Sequence, residues 1–210
     1  VSTVARRPAP AASAAAAPPR SPAWVLALGG AVGLLASFVL AVEKIALLKD
    51  PARTPSCSIN PVLSCGSVMT TPQAEVFGFP NPLLGIAGFA AVTAVGAALL
   101  AGAVLPRWFW RALAAGTAAG AVFVHWLIFQ SLYRIGALCP YCMAVWTVMI
   151  PIFWYTAVHL LTSRPPNLPA RTRGAARIAA DYHGVVLTCW YLAIVGLIAE
   201  RFWLYWSTLP

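Results

Sequence analysis

Cys139-Pro140-Tyr141-Cys142 has the C-x-x-C spacing of redox dithiols, and a second couple, Cys57 and Cys65, lies upstream with seven residues between its members. Two neighbouring thiols can close and open a disulfide, and two such couples on one face can hand it on by thiol–disulfide exchange. Proline suits the first turn of a helix, where its missing N–H costs nothing, so Pro140 marks a helix start and puts Cys139 at the cap. Unpaired N–H groups and the helix dipole stabilise a thiolate there, the form that attacks and leaves. Cys142 follows one turn on, ~4.5 Å deeper. The outer sulfur can meet a protein dithiol, and the inner one an acceptor dissolved in lipid.

The residues leave other readings open. Cys57 and Cys65 lie in a loop with Pro51, Pro55, Asn60, Pro61 and Gly66; a mobile loop of this kind can carry a disulfide to a soluble partner and back, and a static staple of a long loop fits equally well. Zinc needs four ligands, and His125, His159 and His183 lie in or beside other apolar runs with no H-x-x-H and no second C-x-x-C, so no metal site is expected. Cys189 has no sequence partner and is read as a buried small hydrophobe.

The elements that must hold these thiols are membrane spans. With 60% hydrophobic and 9% charged residues, and a mean hydropathy of +0.79, the chain is too apolar for a soluble domain. Five runs, at about 24–48, 82–105, 110–133, 138–161 and 184–206, each have the roughly 20 residues that cross a ~30 Å hydrocarbon layer. Lipid offers the backbone no partners, so they are helices. The expected fold is therefore all-α: a polytopic membrane protein whose spans form a single domain over 23–210, with an outer loop at 49–81. Residues 1–22, rich in Ala and Pro, are expected to be a disordered cytoplasmic tail. The apolar run after it is longer than a signal-peptide core, which favours an uncleaved first span.

Between Pro72 and Gly85 the loop is too short to span but has aromatic and charged faces, which suggests an interfacial half-helix carrying Phe77 and Phe79. Asn81 then lies at the outer mouth. Its amide can donate to a ring carbonyl held among apolar walls, or cap the helix that starts near Pro82.

Orientation follows from Lys and Arg. With the N-terminus in the cytoplasm, nine basic residues lie inside (Arg6, Arg7, Arg20, Arg107, Arg111, Arg164, Arg171, Arg173, Arg177) and five outside (Lys44, Lys49, Arg53, Arg134, Arg201), the expected bias. Both cysteine couples then share the outer, oxidising face, where disulfides persist. The net charge of +9 reads as topology and contact with anionic headgroups. Spread over separate loops, it does not make a nucleic-acid surface. Glu43 and Glu200 lie near span ends and read as interfacial, so transport lacks the buried acidic residue it would need.

Taken in order, Cys57…Cys65, the hydroxyl residues Thr70 and Thr71, Phe77-Gly78-Phe79-Pro80-Asn81 leading into Leu83-Leu84-Gly85, and Cys139-Pro140-Tyr141-Cys142 opening a span resemble the vitamin K epoxide reductase family and its bacterial homologues. The resemblance covers roughly Val25 to Leu161. It implies a four-helix transmembrane bundle around a quinone pocket, lidded by the loop and half-helix, plus a fifth transmembrane helix. It further implies that Cys139 and Cys142 are the active-site pair with Cys142 facing the quinone, that Cys57 and Cys65 shuttle electrons through Cys65 to Cys139, and that Asn81 binds the quinone oxygen. Trp146 stands where vertebrate members carry Tyr; its indole can donate a hydrogen bond but supplies no phenolic proton.

Many bacterial members continue into a thioredoxin-like domain, whereas this sequence stops at Pro210, so the expected partner is a separate extracytoplasmic thioredoxin-fold thiol oxidase. The expected activity is that of a thiol:quinone oxidoreductase in the bacterial inner membrane, supporting disulfide formation in exported proteins. An initial Val and an Ala-rich composition suit a GC-rich bacterial genome and favour menaquinone, with ubiquinone also possible. A four-helix quinone-linked disulfide oxidase of the periplasm does similar chemistry but carries its two couples in the reverse order. The alternative from another class is a redox-inactive scaffold or transporter with structural disulfides.

Overall fold

The structure, a computed structural model, describes residues 20–163 and 170–207. Residues 1–19, within the expected tail, lie outside the described residues, as do Arg164 and 208–210. Five helices are long and apolar enough to cross a membrane: α1 (Ser21–Lys49), α3 (Asn81–Leu100), α4 (Arg107–Ile135), α5 (Pro140–Thr162) and α7 (His183–Arg201). The chain is a multi-pass membrane protein. Between α1 and α3 runs a long loop with one short helix, α2 (Cys65–Met69), and between α5 and α7 lies α6 (Ala170–Asp181), followed at the end by α8 (Trp203–Ser207). No strand occurs among the described residues; a single parallel bridge joins Leu63 to Leu138.

The half-helix expected between Pro72 and Gly85 takes a tighter form, a single 3-10 turn at Pro72–Glu75, after which Gly78 at φ +80° reverses the chain. A left-handed φ is open to glycine because it lacks a Cβ. The α6 helix was not anticipated, because its Arg- and Ala-rich sequence offers no apolar run to find.

Packing orders the first four spans as α3, α1, α5, α4. Small residues allow the α1–α3 pair to meet closely: a Cβ on Gly96 would collide with the backbone of Ala27, and one on Gly33 with the ring of Phe89. Such close approach is how helices associate in lipid, where there is no hydrophobic drive between them. α3 and α4, by contrast, do not close on each other, and a large cavity opens between them and the other two spans.

The fifth span, α7, lies outside this bundle and attaches by polar contacts. Pro151 has no N–H for the carbonyl four residues earlier, and that carbonyl, of Thr147, accepts the phenol of Tyr191 instead. The last turn of α4 widens to a π-turn at Ser131–Ile135, in which Gly136 N bonds Ser131 O. This leaves the Leu132 carbonyl to Arg201, whose Nε donates to it at 2.8 Å. Trp190 Nε1 donates to His125 Nε2 at 2.8 Å, so His125 carries its proton on Nδ1 and gives it to Ala121 O. Ile194 and Ile198 also pack against the core, and the opposite face of α7 is exposed. Cys189 is accordingly exposed, not buried as expected, because this span covers the bundle with one face only.

Candidate functional site

Asn60, Leu63 and Leu138 set the register that brings the thiols together. Asn60 Oδ1 accepts from the backbone N–H groups of Val62 and Leu63, at 3.0 and 2.7 Å, and curls the loop into an Asx-type turn. The turned segment pairs with the strand-like residues before α5: Leu138 N donates to Val62 O at 2.7 Å and Ser64 N to Leu138 O at 2.8 Å. Each chain's next residue is a cysteine. The clip leaves Cys65 Sγ 3.1 Å from Cys139 Sγ, both buried.

Cys57 and Cys65 are joined as a disulfide with Cα atoms 5.6 Å apart, and Cys139 and Cys142 are free thiols. The sulfurs of Cys57, Cys65 and Cys139 lie within 4.8 Å of one another. With two of them bonded to each other, this trio does not offer the thiolates a metal would need. A free thiol against a closed disulfide is the geometry of exchange.

Cys139 is the N-cap residue of α5, in extended conformation at φ −110°, with Pro140 in the first turn. The Cys142 thiol and, less strongly, the backbone N–H groups of Cys142 and Tyr141 donate to its sulfur and hold the Cys139 pKa below the ordinary thiol value, against the opposing pull of burial. A thiolate is thus favoured at the sulfur beside Cys65.

Cys142 and Trp146, one turn apart on α5, both face the cavity. That cavity measures about 570 Å³ and is almost wholly apolar, walled by α1, α3, α4 and α5 and covered by the loop. Polar groups from the loop end join its wall: Asn81, Gln73, Thr71 and Lys44. An apolar chamber with a few polar groups at one end suits a small, largely apolar ligand bearing hydrogen-bond acceptors.

The sequence-derived site residues divide. Asn81 lines the cavity, and its amide holds the loop: Nδ2 donates to Gln73 O at 2.7 Å and Oδ1 accepts from Val76 N at 3.2 Å. It does not cap α3, whose N-cap is Pro80. One Nδ2 hydrogen is not engaged by these contacts. Trp146 is buried in the wall. Phe77 lines the cavity and meets Phe123 with ring centroids 5.9 Å apart. Phe79 is not among the lining residues; with Gly78 turning the chain between them, it stacks on Phe77 at 6.3 Å.

Sequence reasoning missed the charged pair at the loop end of α1. Glu43, expected at the interface, is buried and accepts from Ser56 Oγ, with Arg53 3.9 Å from its second oxygen. Lys44, also buried, donates to Met69 O at 2.7 Å and pairs with Glu75 at 2.8 Å. The two residues grip the loop on both sides of the disulfide. Adjacent opposite charges near the end of an apolar run were the available signal.

The family model described as the vitamin K epoxide reductase family matches residues 24–157. This chain belongs to that family. Membership covers the four bundled spans and both cysteine couples, and ends before α7. The vitamin K epoxide reductase family consists of membrane oxidoreductases that are quinone-linked and generally work with thioredoxin-like proteins. No curated protein matches the chain.

Proposed function

We propose that this member of the family is a thiol:quinone oxidoreductase that reoxidises a thioredoxin-fold disulfide-forming protein outside the cell membrane and passes two electrons to a membrane quinone. The observation that carries this reading is the 3.1 Å approach of Cys65 and Cys139 sulfurs with Cys142 in the cavity wall one turn further on. A pair of structural disulfides would have no use for a free thiol against a closed bond, or for a second free thiol facing an apolar chamber.

Electrons enter when the partner's dithiol reduces the Cys57–Cys65 disulfide and is itself oxidised. The Cys65 thiolate then attacks Cys139 of a closed Cys139–Cys142 bond, and Cys142 leaves with the electron pair and takes up a proton as Cys57 gives one up. Cys57 next attacks Cys65, expelling Cys139 as a thiolate. The arrangement with Cys57–Cys65 closed and Cys139 and Cys142 reduced is the product of that step. A bound quinone supplies the two-electron sink, leaving as quinol while the Cys139–Cys142 bond reforms. Asn81 orients the acceptor through its remaining N–H, Trp146 and the apolar walls keep water from the thiols, and the lowered Cys139 pKa favours its thiolate. About 30 mV of potential difference drives this two-electron transfer by about 1.4 kcal/mol.

The Lys and Arg distribution supports a cytoplasmic N-terminus and an outer active face in a bacterial plasma membrane. Menaquinone is the favoured acceptor and ubiquinone the other candidate. Purified protein extracted into organic solvent and analysed by mass spectrometry tests both the pocket and the acceptor. A co-purifying quinone at near one per protein is expected; failure to bind or reduce any added quinone would remove the reading.

A further inference from the structure

The loop end of α1 puts a charged side chain into the cavity wall for which the mechanism above has no task. Lys44 is buried and lines the cavity with Cys142, Asn81 and Gln73. Its Nζ holds two acceptors, Met69 O at 2.7 Å and Glu75 Oε1 at 2.8 Å, so one of its three N–H donors is uncommitted by these contacts. Lys44 and Asn81 bind neighbouring points of one loop segment, Glu75 for the lysine and Gln73 and Val76 for the asparagine. Both therefore stand at the loop end of the chamber, where Cys142 also opens.

Burying an ammonium is costly even when it is paired, and a loop anchor alone needs only a neutral donor. What lysine adds is a proton it can release, which arginine does not. Glu75, its partner, has a side chain 39% exposed and so connects Lys44 to water. Asn81 can only offer a hydrogen bond.

Resting on the quinone-reductase reading, we propose that Lys44 is a catalytic proton donor to the quinone oxygen, recharged from solvent through Glu75. When Cys139 reacts as its thiolate, the dithiol brings two electrons and one proton, and quinol carries two protons. The second comes from a neighbouring acid or from solvent; Lys44, with an uncommitted N–H in the cavity wall, is placed to give it. Lys44 gives the second, becomes a neutral amine, and regains a proton by way of the Glu75 carboxylate.

The test separates the half-reactions of the full-length purified protein. Thiol exchange is followed without quinone, by trapping thiols after dithiothreitol addition; quinone reduction is followed by mixing the reduced protein with a short-chain naphthoquinone. Lys44→Met and Lys44→Arg are both expected to slow quinone reduction by about 10²-fold or more, the usual range for a lost general acid. Thiol exchange is expected to stay near the wild-type rate in Lys44→Arg, which keeps a charged donor for the loop, and to fall only by the smaller factor of a loosened loop in Lys44→Met. Lys44→Arg keeps the charge and the Glu75 pair, so it folds as the parent does and still lacks a proton to give. Wild-type quinone reduction by Lys44→Arg would overturn the inference, as would thiol exchange that slows in step with quinone reduction, which would make Lys44 a loop anchor. If the wild-type protein itself leaves the naphthoquinone unreduced, the oxidoreductase reading fails first and takes this one with it.

Discussion

The sulfur of Cys139 lies 3.1 Å from that of Cys65, while Cys142, three residues on, opens into the cavity. One thiol faces the loop and the other the membrane interior. In the proposed relay, this division would let a single dithiol serve two redox partners that never meet.

Cys142→Ala is expected to abolish quinone reduction while leaving the fold intact, since the side chain is only partly buried. Cys139 then has no partner of its own and attacks Cys65. Peptide mapping under non-reducing conditions should find a Cys65–Cys139 bond with Cys57 free. Full quinone reduction by this variant would rule the relay out.

The pH dependence follows from the lowered Cys139 pKa, whose largest cause is the Cys142 thiol. A thiol whose folded pKa lies below its unfolded value adds stability above the unfolded pKa, and that stability is lost as pH falls through the folded value. The exchange rate should rise with pH and level off below the ordinary thiol range. Cys142→Ser keeps a donor and should keep the break near its place, whereas Cys142→Ala should move it to higher pH. Rates of Cys65–Cys139 bond formation across pH measure this.

Asn81 serves the loop and the cavity together. Asn81→Asp keeps the acceptor for Val76 N and loses the donor to Gln73 O, and Asn81→Ala loses both. Each lost hydrogen bond is worth about 1 kcal/mol. The KM for quinone should rise by roughly five- to tenfold in the first variant and further in the second. Steady-state assays with a short-chain naphthoquinone would detect it.

Arg201 caps the Leu132 carbonyl left over by the π-turn before Cys139 and Cys142. Arg201→Met should cost about 1–3 kcal/mol by leaving that carbonyl unpaired, and Arg201→Lys should recover part of it. Thermal unfolding in detergent is the measurement. A rate of Cys65–Cys139 exchange that falls with the same ranking would tie the fifth span to the chemistry, and an unchanged rate would confine it to stability.

Much of the molecule could be read from its residues because each signal was local. Twenty apolar residues in lipid have to be helical, so the five spans and the all-α fold follow from composition and length alone. Pro140 fixes the start of α5, and with it the cap position of Cys139. The order of cysteines and the Asn81 segment carried the family resemblance, and the match over 24–157 agrees. Burial on the fifth span was not readable: an apolar run looks the same facing lipid or protein, and Cys189 faces outward.

The family resemblance implied that Cys65 would meet Cys139, but only the tertiary structure shows what brings them together. Cys65 and Cys139 are 74 positions apart, and they meet because two backbone hydrogen bonds between Val62, Ser64 and Leu138 set the register. Those bonds are made by main-chain groups that every residue carries, so no side-chain pattern announces them. The same holds for Lys44: its sequence says only that a cation lies near the end of a span. Folding the loop over α1 turned it inward, into the wall of the cavity, because burying the loop brought Glu75 and the Met69 carbonyl to meet it.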